Sequence, residues 1–214
     1  MRKWMALLLT LACVPLAVAD ILVGFDFNGY AGDEETGTST VTHTYIQTCY
    51  ITRGAGLNAA ANANRFNATA WTVGGTESDT INNNDYFTWT VNAQTGYRFD
   101  VTNIVFNWDR SSTGPSNAFL RSSVDGFASD LATWDVSAGG SYQADLSSAG
   151  LTNLTSIEFR FYGYRAGSTL GSGGFEGTGD DLVINGTVIP EPSTLALISL
   201  AFGGLAVSRR LRRR

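Results

Sequence analysis

Residues 157–164, IEFRFYGY, contain the pattern that decides the fold of this chain. Ile157, Phe159 and Phe161 occupy every second position, and polar or amphipathic residues stand between them. Successive side chains of a β-strand point to opposite faces of the sheet. This alternation therefore predicts a strand with one buried, apolar face.

The same alternation recurs in three other segments of the chain. Each segment places aromatic or aliphatic residues at every second position, mostly with threonine or asparagine between them. The apolar positions are Phe87, Trp89 and Val91; Ile104, Phe106 and Trp108; and Leu182, Ile184 and Val188. Strands with one apolar face are typical of antiparallel sheets that cover a core. We therefore predict an all-β fold, an antiparallel two-sheet β-sandwich of the jelly-roll type.

Turn residues separate these segments. Asp125-Gly126 lies between two strand-like runs and predicts a hairpin. Asn185-Gly186 interrupts the last run and predicts a bulge. Residues 59–63 are the one stretch that favours a turn of helix.

The first 19 residues have the parts of a secretory signal peptide. Arg2 and Lys3 precede an almost wholly apolar run, and Ala17-Val18-Ala19 is a small-x-small cleavage site. We predict a signal helix over residues 1–19 that is removed before Asp20. The alternative is an uncut N-terminal anchor, for which an apolar run of about 15 residues is short.

Residues 20–189 are predicted to form one domain, and that domain is acidic. It contains 18 Asp and Glu residues, seven arginines and no lysine. Such a surface repels nucleic acid, so we expect no nucleic-acid partner. It suits cations, neutral glycans or solubility alone.

Residues 190–214 form a distinct C-terminal segment. The stretch from Ser193 to Ser208 carries no charge, and as a helix it would reach about 24 Å, slightly less than a hydrocarbon core of about 30 Å. We predict a transmembrane helix whose C-terminus stays in the cytoplasm by the positive-inside rule. The residues expected to stop the chain there are Arg209, Arg210, Arg212, Arg213 and Arg214.

The order of features in this segment resembles a known sorting signal. Pro190-Glu191-Pro192 is followed by the apolar stretch and then by the arginines, as in the bacterial PEP-CTERM sorting signal. The resemblance implies export and recognition by an exosortase-type membrane peptidase that cuts near the prolines. It also implies transient membrane anchoring, and then a place at the cell envelope, the cell surface or the extracellular matrix. Proteins with this signal are often associated with exopolysaccharide and biofilm.

Catalytic motifs are scarce. The chain has one histidine, His43, and no Gly-x-Ser-x-Gly motif. On one strand, His43 and Cys49 would lie about 20 Å apart, too far for an activated nucleophile. We therefore predict that the protein is not an enzyme. A polysaccharide hydrolase that uses two of the many carboxylates stays an alternative.

The body also loosely resembles jelly-roll modules that bind carbohydrate. The similar stretches are FLRSSVDGF at residues 119–127, IEFRFYGY at 157–164 and GDDLVINGTV at 179–188. Sugar rings stack on aromatic side chains, and neighbouring polar groups bind their hydroxyls. The residues predicted to bind glycan are Arg160, Tyr162, Tyr164 and Trp134; the alternative for each is a structural role.

Calcium is the one cofactor for which the sequence offers candidate ligands. Asp180 and Asp181 precede the last strand, and Asp26 would approach them if the first and last strands pair. Carboxylate oxygens are the ligands that Ca²⁺ prefers. The alternative is a solvated acidic loop.

Together these features predict an exported bacterial protein of the cell surface or matrix. The leading hypothesis is a non-enzymatic adhesion module that binds exopolysaccharide or another glycan. The alternative is a purely structural surface protein without a ligand.

Overall fold

The computed structural model describes residues 20–191. This part of the chain contains 14 β-strands, one α-helix and one short 3-10 helix. In chain order the strands are β1 (Asp20–Phe25), β2 (Gly37–Thr38), β3 (Val41–Thr42), β4 (Tyr50–Arg53), β5 (Asn58–Ala59), β6 (Phe66–Thr69), β7 (Tyr86–Asn92), β8 (Tyr97–Arg110), β9 (Asn117–Ser122), β10 (Ala132–Asp135), β11 (Gly140–Asp145), β12 (Ser156–Tyr164), β13 (Gly173–Phe175) and β14 (Leu182–Pro190). Helix α1 spans Glu77–Asn83, and the 3-10 helix spans Ser123–Asp125.

The strands form two antiparallel sheets. One has eight strands in the order β3-β1-β14-β8-β13-β6-β5, with β11 also paired to β8; the other has six in the order β10-β9-β12-β7-β4-β2. The prediction of an all-β, two-sheet sandwich is therefore confirmed, whereas the jelly-roll winding stays a prediction. Within residues 20–191 no helix is long and apolar enough to cross a membrane. The predicted signal and transmembrane helices lie outside the described residues.

Strand β8 organises the eight-stranded sheet. One of its edges pairs with β14 from Tyr97 to Phe106 and then with β13 from Trp108 to Arg110. Its other edge pairs with β11. The loop between β13 and β14 therefore interrupts the ladder opposite Asn107, whose N–H still donates to the carbonyl of Asp181 at 2.9 Å.

An aromatic cluster fills the space between the two sheets. The ring centroid of Phe106 lies 5.1 Å from that of Phe161 on the facing sheet and 5.7 Å from that of Phe175. Trp108 adds an edge contact of 5.5 Å to Phe175. All four side chains are buried. The predicted apolar faces of β7, β8 and β12 thus meet in one core.

Arg53 is an exception to the apolar interior. Its guanidinium lies 3.9 Å from the ring centroid of Phe66. It donates through Nε to the carbonyl of Asn67 at 2.8 Å and through the two terminal nitrogens to the carbonyls of Gly32 at 2.9 Å and Glu34 at 2.6 Å. Partial burial lowers the pKa of Arg53 to about 10. The side chain therefore ties the loop after β1, which contains Gly32 and Glu34, to strand β6, which contains Asn67. The hydrogen bonds replace those that these carbonyls would otherwise make to water.

Helix α1 lies outside residues 59–63, the stretch predicted from the sequence to favour helix. Those residues instead begin with the last residue of β5 and form no helix, and α1 begins after Thr76. Asp79 accepts from the Thr76 backbone N–H at 2.7 Å in a capping box. Thr80 then anchors the helix, since its buried hydroxyl donates to the carbonyl of Gly163 at 2.8 Å.

Both turn predictions have a counterpart in the structure. β9 and β10 pair antiparallel around Asp125, although the connection includes the 3-10 helix and is longer than a tight hairpin. The register of β14 shifts between Asn185 and Gly186, which confirms the bulge. A side chain at Gly186 would collide with the carbonyl of Asp100, so the bulge requires glycine.

Phe106→Ala should lower the free energy of unfolding by about 3–5 kcal/mol, because the truncation leaves a cavity between the sheets. Leu170→Ala is the matched control, since Leu170 is 85% exposed. Urea unfolding of the body, residues 20–191, measures both. Equal losses for the two variants would contradict the placement of Phe106 in the core.

Candidate functional site

The C-terminal segment leaves the sandwich from its last strand. β14 pairs with β8 as far as Pro190, which lies opposite Tyr97. The N–H of Glu191 donates to the carbonyl of Gly96 at 2.8 Å, and Arg98 Nε lies 2.9 Å from Glu191 Oε1. The folded body therefore holds the first two residues of the Pro-Glu-Pro motif. Pro192 and the terminal arginines lie outside the described residues.

The four residues predicted to bind glycan do not share one surface. Arg160, Tyr162 and Tyr164 lie on the outer face of the six-stranded sheet, opposite the buried residues of β12. Trp134 of β10 points inward, with its ring centroid 4.9 Å from that of Phe106. Its Nε1 donates to the carbonyl of Gln143 at 3.0 Å. Trp134 thus covers an edge of the core and is not part of the outer face.

Tyr162 is also unavailable to a sugar. It is only 2% exposed, although it lies on the outer face. Phe119 stacks on its ring with centroids 4.7 Å apart and planes 7° apart, and Tyr86 contacts it edge-on at 5.1 Å. A glycan cannot stack on a ring that two neighbouring strands already cover. The prediction of Tyr162 as a stacking residue is therefore wrong.

Arg160 and Tyr164 stay partly exposed beside this aromatic group. The Arg160 guanidinium lies between the rings of Phe127, at 3.8 Å, and Tyr86, at 4.7 Å. Its Nε donates to Glu158 Oε1 at 2.8 Å. The side chain is thus oriented, and it retains donors that a hydroxyl-rich ligand could use.

A groove runs beside Arg160 on the same outer face. It has a volume of about 360 Å³, and we call it the Tyr50 groove. Tyr50 is 54% exposed, and Glu158 Oε1 accepts from the hydroxyl of Thr88 at 3.1 Å. The lining residues are Thr48, Tyr50, Thr52, Thr88, Trp89, Thr90, Asn92 and Glu158. The groove thus combines an open aromatic ring with hydroxyls, an amide and a carboxylate.

A second groove lies on the outer face of the eight-stranded sheet. It has a volume of about 540 Å³ and includes Asp109, Ser141 and Glu176. Arg65 bridges the two carboxylates, with Nη1 2.6 Å from Asp109 Oδ2 and Nη2 3.0 Å from Glu176 Oε2. We call it the Arg65 groove. A glycosidase needs one carboxyl held protonated as an acid, whereas these two bind the same guanidinium.

The three aspartates predicted to bind calcium lie in one region but face different neighbours. β1 pairs with β14, as expected, and this brings Asp26 near the loop of Asp180 and Asp181. Asp26 Oδ1 accepts from the N–H of Asn28 at 2.8 Å, and the Asp180 carboxylate lies over Gly24. Residues 20–191 contain no group of three His, Cys, Asp or Glu side chains that could hold a metal ion. The calcium site stays a prediction.

Asp181 is the unusual member of the three. Its side chain is 1% exposed, and Oδ2 accepts from the N–H of Phe27 at 2.7 Å. Oδ1 is buried and has no partner among the described residues. Burial, and then the nearby charges of Asp26 and Glu176, raise the pKa of Asp181 to about 6. Such a carboxylate is stabilised by a proton or a cation.

The candidate nucleophile is inert in this fold. Cys49 is buried, and its thiol donates to the carbonyl of Thr90 at 3.2 Å. Burial raises the pKa of Cys49 to about 12, so the reactive thiolate does not form at neutral pH. His43 is engaged elsewhere, since its Nδ1 accepts from the N–H of Tyr45 at 3.2 Å.

The residues that line the two grooves were not among the site residues predicted from the sequence. Tyr50 and Glu158 come from strands that are far apart in the chain, and β7 lies between them in the sheet. Thr52 of β4 and the alternating Thr88 and Thr90 of β7 were a local indication of a polar outer face. No local pattern indicates that Arg65, Asp109 and Glu176 meet.

Asp181→Asn should remove one component of the pH dependence of folding. A carboxyl whose pKa is raised in the folded state contributes stability below its unfolded value of 3.8, and that contribution is lost as the pH rises through about 6. Between pH 4 and pH 7, without calcium, the free energy of unfolding of the unaltered body should fall by about 2–3 kcal/mol relative to that of the variant. Urea unfolding at several pH values measures this difference, and parallel pH profiles would contradict it.

Arg98→Ala should loosen the start of the sorting segment. An exposed ion pair contributes up to about 1 kcal/mol, so amide exchange at Glu191 should rise up to about fivefold. Arg121→Ala is the matched control, because Arg121 forms an ion pair with Asp130 elsewhere on the body. Hydrogen exchange of the full exported chain in detergent, resolved by peptide, measures both. No change at Glu191 would mean that the Gly96 carbonyl alone holds it.

Comparison with known proteins identifies the C-terminal segment. The PEP-CTERM protein-sorting motif matches residues 188–214. No curated protein sequence matches the chain. The match includes the end of β14, so the sorting motif begins inside the folded body. The motif implies that the protein is exported, anchored transiently in the membrane and recognised by an exosortase-type peptidase that sorts it to the cell surface.

Proposed function

We propose that the exported body is a non-enzymatic adhesion module that binds a neutral glycan, such as exopolysaccharide, in the Tyr50 groove. The single observation that carries this proposal is the open ring of Tyr50 beside threonine hydroxyls and the Glu158 carboxylate. Aromatic faces bind the C–H faces of sugars, and fixed polar groups select their hydroxyls.

The charge of the body supports a neutral ligand. Acidic residues outnumber arginines by 18 to seven in residues 20–189, so polyanions are repelled. Arg160 is oriented at one side of the groove by Glu158 and two aromatic rings. In its present orientation, Arg160 would donate hydrogen bonds to the hydroxyls of the sugar.

Calcium binding is a second proposal within this function. Asp181 presents a buried oxygen that has no partner within residues 20–191, and a cation there would offset its burial. The site would stiffen the junction between β1 and β14 and would not contact the glycan. A structural surface protein without a ligand is the alternative function. A polysaccharide hydrolase is a further alternative, but both carboxylates of the Arg65 groove bind Arg65.

Retention of the body on insoluble polysaccharides and exopolysaccharide tests the proposal. Tyr50→Ala should weaken retention about three- to tenfold, since an aromatic contact contributes about 0.5–1.5 kcal/mol. Tyr45→Ala is the matched control, because Tyr45 is also exposed, at 39%, but lies outside the groove. Each measurement is made with calcium and with EDTA.

Equal weakening by the two tyrosine variants would exclude the Tyr50 groove. Absence of retention on every matrix would favour the structural alternative. Loss of retention in EDTA alone would assign calcium a part in binding.

A further inference from the structure

The end of the sandwich from which the chain departs carries exposed aromatic and aliphatic side chains. We call it the exit end, formed by Tyr45, Tyr97, Arg98, Ile189 and Glu191. The rings of Tyr45 and Tyr97 stack with centroids 3.9 Å apart and planes 9° apart. Tyr45 and Ile189 are each 39% exposed. Tyrosine pairs of this kind offer an apolar face and polar tips at one place.

Hydrogen bonds make the exit end one unit. The N–H of Gln94 donates to the carbonyl of Tyr45 at 2.8 Å, and its side-chain amide donates to the carbonyl of Thr44 at 2.9 Å. These bonds join the loop of Tyr45 to the turn between β7 and β8. Gly96 in that turn accepts from Glu191. The tyrosine pair is therefore held in a defined position relative to the departing chain.

The length of the connection places this end close to the membrane. Two residue steps separate Glu191, the last described residue, from Ser193, where the uncharged stretch begins. A fully extended chain covers about 7 Å in two steps. While the tail is anchored, the body cannot retreat from the bilayer, and the exit end is the part of the body that must face it.

The chemistry of the exit end suits the lipid–water interface. Tyrosine is enriched at that level of membranes, where its ring contacts the acyl boundary and its hydroxyl stays hydrated. Arg98 binds Glu191 and the carbonyl of Asn153, but its side chain is 37% exposed and carries further N–H donors that lipid phosphates could accept. The body as a whole is acidic, so anionic headgroups do not attract it through its net charge.

We propose that the exit end rests in the headgroup layer of the bilayer while the tail is uncut, with Tyr45 and Tyr97 as the interfacial contact. The proposal rests on the membrane-anchored stage of the sorted protein and is independent of glycan binding. It orients the sandwich upright on the membrane, with the Tyr50 groove on one side and the Arg65 groove beside the opposite end of β8. The partner is the phospholipid surface itself.

Spin labels on the exported chain, from Asp20 onward, test this orientation. The chain is reconstituted into vesicles of phosphatidylethanolamine and phosphatidylglycerol, with one label at Thr95→Cys or at Ser112→Cys. Both positions are exposed, and β8 separates them by about 40 Å. Cys49 is buried, so the parent chain should not take up label.

The label at Thr95 should lose access to a water-soluble nickel complex by about threefold or more in vesicles, relative to the body alone. The label at Ser112 should not change. Replacing Tyr45 and Tyr97 by serine should restore access at Thr95, whereas Tyr50→Ser, on the outer sheet face, should not. The comparison of Thr95 with Ser112 in the chain with both tyrosines does not depend on how the serine variants fold.

Vesicle sedimentation separates failure of this proposal from failure of its premise. If the chain sediments with vesicles and Thr95 stays as accessible as in the body alone, the exit end does not contact lipid and the proposal is wrong. If the chain does not sediment, the anchored stage itself is wrong. Equal protection of Thr95 and Ser112 would also overturn the proposal, since it would mean that the body lies flat.

Discussion

The pairing of β14 with β8 is the constraint on which the rest of the structure depends. It joins the last strand to the longest one and also brings β1 into the eight-stranded sheet through β14. One end of this ladder stops at the loop that buries Asp181, and the other end delivers Pro190 and Glu191 to the turn after β7. A single long-range strand pair therefore positions both the buried Asp181 carboxylate and the start of the sorting motif.

The two sheets divide the chemistry of the body between a closed interior and open faces. The interior is filled by aromatic rings and the Arg53 guanidinium, and it also buries the Cys49 thiol. The grooves lie on the outer faces, where alternate residues of the same strands are polar. The residues of such a surface can change without altering the core, because adjacent residues of a strand belong to different faces. Delivery to the cell surface depends on neither face, since it is encoded in the C-terminal segment.

Local patterns predicted the strands well because a strand with one buried face has apolar residues at every second position. Phe159 and Phe106 lie on buried faces as predicted, and the bulge at Gly186 is where the Asn-Gly pair indicated. The candidate site was predicted less well. Tyr162 lies on the outer face of its sheet, as the alternation predicted, but Phe119 and Tyr86 on neighbouring strands cover its ring. Trp134 was predicted to bind glycan, whereas the pairing of β10 with β9 turns it inward onto Phe106.

By itself, the sequence determined the strand-rich class of the body, the face to which each alternating residue belongs, its acidity and the order of the sorting segment. These properties depend on residues that are neighbours in the chain, so local geometry and composition suffice. The tertiary structure decided which strands lie side by side. That choice exposed Tyr50, covered Tyr162 and bound Glu191 to Arg98. It also left Asp181 Oδ1 without a partner in the part of the chain that the structure describes. Each of these outcomes joins segments that are distant in sequence, and only the packing of the complete core selects among the alternative pairings.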